Sequence, residues 1–587
     1  MPEYRAPLEE MNFVIDQLHD LPGLAAAIDN EDANAELLAA VLTESDKLAN
    51  QVWSPLNWPG DQQGVQLTDA GVKVADGFTD AYKQYAEGGW NSLCFDPEYG
   101  GQGLPFSFSM PVAEMAQAAN MSLGLCPLLT TGAIEAITAH ASEALKATYL
   151  EKMIAGEWTG TMNLTEPHAG TDLALLKSTA TPADDHYLIK GQKIFITWGD
   201  HDMTENIVHL VLARLPDAPA GVKGISLFLV PKFLVNEDGS LGQRNDVYAL
   251  NVEHKMGIHA SPTCVMSYGD NGGAIGYLVG EPHAGLAAMF TMMNNARLVV
   301  GLQGVAIADR AYQHAVAYAQ DRVQCIAPGR SEVGAIIHHP DVRRMLLKMR
   351  SHIEIMRVLV YVNTLELDLA EDDQGHSKRA DLLTPITKGW CSELCQEITS
   401  IGLQIHGGMG YVEETGAAQH FRDSRITTIY EGTTGIQAND LIGRKVIGDQ
   451  GQELRKLIAD ISSEINALDA HDQRLQLIKE SMIHSIAVVE KSLDYILQEQ
   501  PNDPFLAGSV SYSFLMMMGT FMGGWIATRS AALAIKKLKN TEDSEFYEAK
   551  LVSSTFFIEQ SLPLVGAYSR SLMSGSASTM TLSEDQF

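Results

Sequence analysis

The chain has 587 residues, with 73 Asp and Glu against 41 Lys and Arg, a formal net charge of -32 and an isoelectric point near 4.9. Phosphate contacts need clustered Lys and Arg, so this balance argues against a nucleic-acid-binding role and against anionic membrane surfaces. The length predicts three or four domains, and 45% hydrophobic residues is the content of a globular enzyme with a large core.

The opening stretch, MPEYRAPLEEMNFVIDQLHD, mixes acids with apolar residues. It has neither the basic start and apolar core of a secretory leader nor the Arg-rich, acid-poor make-up of a transit peptide, so a cytoplasmic location is expected. Residues 1–160 read as a helical domain. Ala33–Leu48 and Ile134–Ile154 are rich in Ala, Leu and Glu at helical spacing, and Asp96–Pro105 (DPEYGGQGLP) reads as a turn-rich loop. The character changes at 161–285, where a β domain is predicted. Asn206–Leu215 and Gly224–Val230 are short and β-branched, and Tyr187–Ile196 looks like two strands about a glycine turn.

Helical periodicity returns over 286–450, with long amphipathic runs at Met293–Asp321 and His338–Leu369 separated by a Pro/Gly loop at Ala327–Gly329. Another helical region, 451–587, follows the Gly448–Gly451 break and ends in a tail, Ser574–Phe587, expected to be weakly structured. Pro504–Thr528 carries no charge and is long enough for a membrane span, but Gly and Ser interrupt it throughout, so a buried helix is expected. The six cysteines include no C-x-x-C pair and read as reduced thiols; Cys391 and Cys395, one helical turn apart, read as packing residues.

No G-x-G-x-x-G opens a helix after a strand, no P-loop or G-x-S-x-G elbow is present, and His338, His339 and Asp341 match no metal-ligand spacing. Other runs draw attention. TEPHAGTD (Thr165–Asp172) mixes hydroxyls, a glycine and acids. GQKIFITWG (Gly191–Gly199) puts Phe195 and Thr197 on one strand face, which suits a flat heteroaromatic ligand or simply a sandwich-facing strand. Arg297 sits in the apolar run NNARLVV, either solvated or paired with an anion. QIHGGMGY (Gln404–Tyr411) precedes IYEGTTG, where Glu431 stands beside a glycine and two hydroxyls. Glu431 is a potential general base or a solvated residue at a helix start.

Taken in order, DPEYGGQGLP, TEPHAGTD, GQKIFITWG, HKMGIHAS, the Arg297 helix, QIHGGMGY and IYEGTTGIQ resemble the motifs of acyl-CoA dehydrogenases over about 90–450. The extra N- and C-terminal regions resemble the larger bacterial members. The resemblance implies an α+β multidomain chain: an N-terminal helical domain, a central β-barrel or sandwich, a helical bundle carrying the base, and an extra C-terminal helical domain. It implies FAD as cofactor and conversion of an acyl-CoA, such as 3-methylthiopropionyl-CoA or a short, medium or long fatty acyl-CoA, to its trans-2-enoyl form. Glu431 matches the base that takes the α-proton, and no acid occupies Asn294–Ala296, where other members carry theirs. By the same resemblance Met162, Leu164, Thr165, Thr171, Phe195 and Thr197 face FAD. Gln404 and Gly408 meet its adenine end across a dimer, and Thr433 lies near the adenosine. Asn294, Arg297, Thr171, Tyr430 and Gly432 serve the substrate. Arg322 is a further cross-dimer candidate, although Cys325 and Pro340 depart from the pattern of smaller members. A homodimer and an electron-transferring flavoprotein as acceptor are implied. An acyl-CoA oxidase using oxygen and a flavin-containing DNA-associated relative are the alternatives.

Overall fold

The computed structural model describes residues 3–370, 373–468, 472–539 and 544–587. Its contacts divide it into two compact units, one built on residues 40–299, the other on Pro7–Ala39 with Val300–Phe587.

In the first unit, helix α1 (Met121–His140) is buried almost all round: from Met121 to Ile137 only Thr131 and Glu135 reach solvent. The predicted helix Ile134–Ile154 is two helices. The chain turns extended at Ala141, and Ser142 restarts it by accepting a hydrogen bond from the Leu145 N–H, the ordinary use of a serine as an N-cap. A hairpin, Gln66–Thr68 with Gly71–Lys73, also lies in the region read as helical.

An eight-stranded sheet follows. Its strands are β1 (Trp158–Asn163), β2 (Thr179–Ala183), β3 (His186–Thr197), β4 (Asn206–Arg214), β5 (Ile225–Pro231), β6 (Val247–Val252), β7 (Thr263–Tyr268) and β8 (Ala274–Val279). The order is β6-β7-β3-β8-β5-β4-β1, with β2 beside β3; β1 and β4 run parallel. β4 and β5 are mostly apolar runs, buried along nearly their whole length, because both of their faces are covered. Ile189, Ile196, Val211, Phe228, Val230 and Met266 belong to the core beneath.

The glycine turn expected within Tyr187–Ile196 does not form. β3 is one strand whose first half pairs with β2 and β8 and whose second half pairs with β7. Gly191, at φ +150°, is where it bends. A Cβ there would sit 2.3 Å from the Ser178 hydroxyl, so the glycine serves a close approach and not a reversal.

Helix α2 (Gly285–Asp321) begins eight residues earlier than its periodicity predicts and runs across the boundary between the units. The second unit continues with α3 (Pro340–Asp368) and α4 (Gln374–His406). Between α2 and α3 the sequence suggests only a loop. The structure has a two-stranded hairpin there, Val323–Ile326 with Val333–Ala335. The short helix α5 (Thr434–Asn439) precedes the C-terminal helices, of which α6 (Leu506–Leu538) is the most buried. α6 contains the charge-free run. Together with α1 it is one of two described helices long and apolar enough to cross a membrane, and both are mostly buried within their units. Trp390 of α4 lies against Gly519 of α6, and Cys391 and Cys395 are fully buried packing residues.

Helix α7 (Ser544–Gln560) carries Lys550, which is 2% exposed and ion-paired with Glu10 and with Glu354 of α3, the latter at 3.0 Å. Three distant segments of chain therefore meet at one ammonium group. The C-terminal tail is more ordered than expected. It forms a short helix, Ala577–Met580, and a capping box at Ser583, and the Ser576 hydroxyl donates to Asp503 at 2.6 Å.

Candidate active site

In the first unit the TEPHAGTD loop is strapped to β3. The Ile194 N–H donates to the Thr165 carbonyl at 2.9 Å, and Glu166 and Ala169 exchange backbone hydrogen bonds. Register in β3 slips between Lys193 and Ile196, a β-bulge opposite Val265. There Phe195 takes φ +59°, unusual for a bulky residue, and the residue is 59% exposed. Trp198, at φ +54°, locks the strand end by donating its indole N–H to the Ser122 carbonyl at 3.1 Å. Leu164, Thr165 and Thr197 are half-buried and Thr171 is exposed. Met162 is buried in β1, whose parallel neighbour is β4.

The α2 segment of the same unit holds Asn294, Asn295 and Arg297. Arg297 is buried and lies over the Phe290 ring at 5.7 Å. Although no acid stands at Asn294–Ala296, one reaches this stretch from α1. Glu135 accepts from the Asn295 amide at 2.7 Å, and burial pushes its carboxyl up to about 8. The clue in the sequence is a lone acid in an otherwise apolar helix.

In the second unit the Glu431 loop is held by its backbone and its neighbours. Glu431 takes φ +54° and Gly432 φ +87°. A non-glycine residue in this region carries strain, and such strain concentrates at functional sites. The Gln437 side-chain amide donates to the carbonyls of Glu431 (3.2 Å) and Gly432 (3.3 Å). Thr433 caps α5 by accepting from the Ile436 N–H, and the Thr434 hydroxyl donates to Glu393 of α4 at 2.6 Å. The Lys388 ammonium donates to the Thr427 carbonyl at 2.8 Å just upstream. The Tyr430 hydroxyl donates to Gln303 of α2. Burial, and then the adjacent Glu431 carboxylate, push the Tyr430 phenol well above its ordinary range, so it stays a donor. Gln303, Glu393 and Gln437 escape a sequence reading because a polar residue in a buried helix has no signature until its partner is known.

Arg322, Gln404 and Gly408 lie elsewhere in that unit. Tyr318, one turn before Arg322, stacks on His406 at 4.5 Å, which joins the ends of α2 and α4. All three residues are exposed. Along α2 the Arg322 end is about 28 Å from Gln303, the anchor of the base loop, at 1.5 Å per residue. Tyr430, Glu431, Gly432 and Thr433 therefore form one cluster, and Arg322, Gln404 and Gly408 another.

The residues of the β face fit a flat heteroaromatic cofactor with polar edges. An aromatic ring is held out of the sheet by a bulge, where packing alone would bury it. Beside it stand threonines that are not enclosed by the core.

Known proteins converge on the same reading. The N-terminal, middle and C-terminal domain models of acyl-CoA dehydrogenase match residues 68–157, 161–270 and 283–446, and the acetyl-CoA dehydrogenase C-terminal-like model matches 452–583. The 3-methylmercaptopropionyl-CoA dehydrogenase of Ruegeria pomeroyi is 46% identical over 95% of this chain and 96% of its own. The broad-specificity linear acyl-CoA dehydrogenase FadE5 of Mycobacterium tuberculosis is 32% identical over 96% of both chains. An acyl-CoA dehydrogenase from Bacillus anthracis, solved with FAD, superposes with a TM-score of 0.73 at 21% identity, covering 92% of this chain and 89% of that one. With its motifs in order, its sheet flanked by helices and these matches along its length, the chain belongs to the acyl-CoA dehydrogenase family.

Proposed function

We propose that the chain catalyses FAD-dependent α,β-dehydrogenation of a small acyl-CoA thioester, with Glu431 as the base. The observation that carries this is the left-handed backbone at Glu431, anchored on both sides by Tyr430 on Gln303 and by Gln437. Glu431 takes the α-proton; the β-hydrogen leaves with its electron pair, and a trans-2-enoyl thioester results. FAD, when bound, supplies the acceptor for that hydride. Leu164, Thr165, Phe195 and Thr197 hold its ring, and Thr171 its pyrophosphate or the substrate. The neutral Tyr430 phenol, tied to Gln303, keeps its hydroxyl out of competition for the proton. Anchoring the loop in advance spares the reaction the cost of ordering it.

The acyl group we favour is 3-methylthiopropionyl, on the 46% identity to the Ruegeria enzyme of that name. A partly open cavity of about 60 Å³ in the first unit is the candidate for the acyl tail. Its walls include Tyr85, Trp90, Cys94, Met110, Leu128 and Asn295. Sulfur and aromatic walls suit a thioether.

The exposed apolar side chains of Val323, Ile326, Val333 and Tyr411 support a homodimer through the Arg322–Gly408 region, which makes the remote cluster a partner's cofactor contact. Electron-transferring flavoprotein is the proposed acceptor. The test is anaerobic titration with 3-methylthiopropionyl-CoA and a panel of straight-chain thioesters. Bleaching of the flavin absorbance, slow recovery in air and rapid recovery with the flavoprotein are expected. Fast reoxidation with peroxide formation would make the chain an oxidase.

A further inference from the structure

Glu166 and Lys193 take no part in the chemistry above, yet they form an almost fully enclosed ion pair in the first unit. Their side chains are 2% and 0% exposed, 2.9 Å apart. Glu166 accepts from the Lys177 N–H (2.7 Å), the Ser178 N–H (3.0 Å), the Ser178 hydroxyl (2.6 Å) and the Lys193 ammonium. The Lys193 ammonium also donates to the Leu164 carbonyl at 3.0 Å. Both ends of the 164–178 loop are thus fastened to one charge pair. That pair is planted on β3 two residues before Phe195, and Gly191 lets β3 close on Ser178 beside it.

Burying two charges carries a large desolvation cost, which is offset only when every donor and acceptor is matched. Two apolar side chains would fasten loop to strand without that cost. What the ionic pair adds is direction: it fixes where the Leu164 carbonyl and the Lys177–Ser178 amides must lie relative to the bulge. We infer that Glu166 and Lys193 are positioning residues that set Leu164 and Thr165 against Phe195 and so shape the face that holds the isoalloxazine ring of FAD. This rests on the proposed reading that this face holds the flavin.

Lys193→Met alone strands a buried carboxylate and is expected to lower the melting temperature, which a purely structural pair would also do. The deciding variant is the double Lys193→Met/Glu166→Leu, which leaves no charge unpaired. It strands no charge but leaves the Lys177 and Ser178 N–H groups and the Leu164 carbonyl without these partners, so its melting temperature is expected to fall by less than that of Lys193→Met. It should release FAD on dilution of the holoenzyme with a dissociation constant raised about tenfold or more, and show a shifted visible flavin spectrum and midpoint potential. Lys193→Arg, which keeps the charge, should recover most of the affinity. A double variant with wild-type affinity, spectrum and potential overturns the inference. If the double variant does not fold, Glu166→Gln carries the test, since it keeps the shape and turns one acceptor into a donor facing the Lys177 N–H; wild-type values there also overturn it. Phe195→Ala probes the underlying reading. If it binds FAD as the wild type does, the face itself is wrongly assigned. If it weakens FAD while the charge-free pair does not, only the positioning role falls.

Discussion

Gly432→Ala isolates the geometry of the base loop from the chemistry of the base. At φ +87° an L-residue carries a steric penalty of about 1–2 kcal/mol. The new Cβ would also lie 2.6 Å from the Gln437 amide nitrogen, so Gln437 must swing away. Its hydrogen bonds to the Glu431 and Gly432 carbonyls are then lost, at about 0.5–1.5 kcal/mol each. The sum, about 2–5 kcal/mol, falls on one loop and not on the core. A reacting group displaced by an ångström costs about 10²-fold in rate, so kcat should fall by that order. FAD content and melting temperature should stay near wild type. The assay is dye-coupled turnover at saturating thioester. Gly435→Ala is the control: it sits in the first turn of α5, with nothing nearer its added Cβ than the Thr433 hydroxyl at 3.8 Å, and should keep its kcat. Wild-type kcat in Gly432→Ala would refute the argument that loop strain positions the base.

Glu431→Gln should keep FAD and the fold while turnover falls by several orders of magnitude; single-turnover bleaching at a normal rate would remove Glu431 from the mechanism. Acid should destabilise the first unit early. Burial first, and the Lys232 charge next, hold His201 and His209 down to about 3 from the ordinary 6.5, where they bond to the hydroxyls of Thr159 and Thr161. The unfolded chain takes up protons first, so their contribution is complete above 6.5 and is lost as pH falls toward 3. At pH 5.5 the loss is about 1.4 kcal/mol per histidine, and a urea midpoint unchanged between pH 7.5 and about 5.5 would contradict it. Lys550→Met leaves Glu10 and Glu354 without their shared cation and should cost the second unit about 3–5 kcal/mol. Chemical denaturation measures this, and a change below about 1 kcal/mol would show that the pairing is marginal. Tyr411→Asp, at a side chain 93% exposed, should shift a dimer to monomer in sedimentation; an unchanged mass would move the interface elsewhere.

Much of this protein is legible along the chain because the relevant signals are local. The change from helical to β-branched runs near residue 160, the buried character of the charge-free run in α6 and the packing role of Cys391 and Cys395 follow from spacing and composition, which act within a few residues. The motif order marks Glu431 and Phe195 for the same reason. What the sequence could not decide depends on partners brought from far along the chain. Gly191 reads as a turn until Ser178 is seen 2.3 Å from where its Cβ would be. Glu135 beside Asn295, Lys193 beneath the TEPHAGTD loop and Lys550 between Glu10 and Glu354 are single ionisable residues in largely apolar surroundings. Desolvation makes each untenable alone, and only the tertiary structure supplies the group that satisfies it. The sequence by itself therefore determined the family and marked the residues proposed here as the base and the flavin-facing aromatic. Tertiary packing decided how the base loop is strained, which residues hold that face in place, and that Arg322, Gln404 and Gly408 stand apart from the base within one chain.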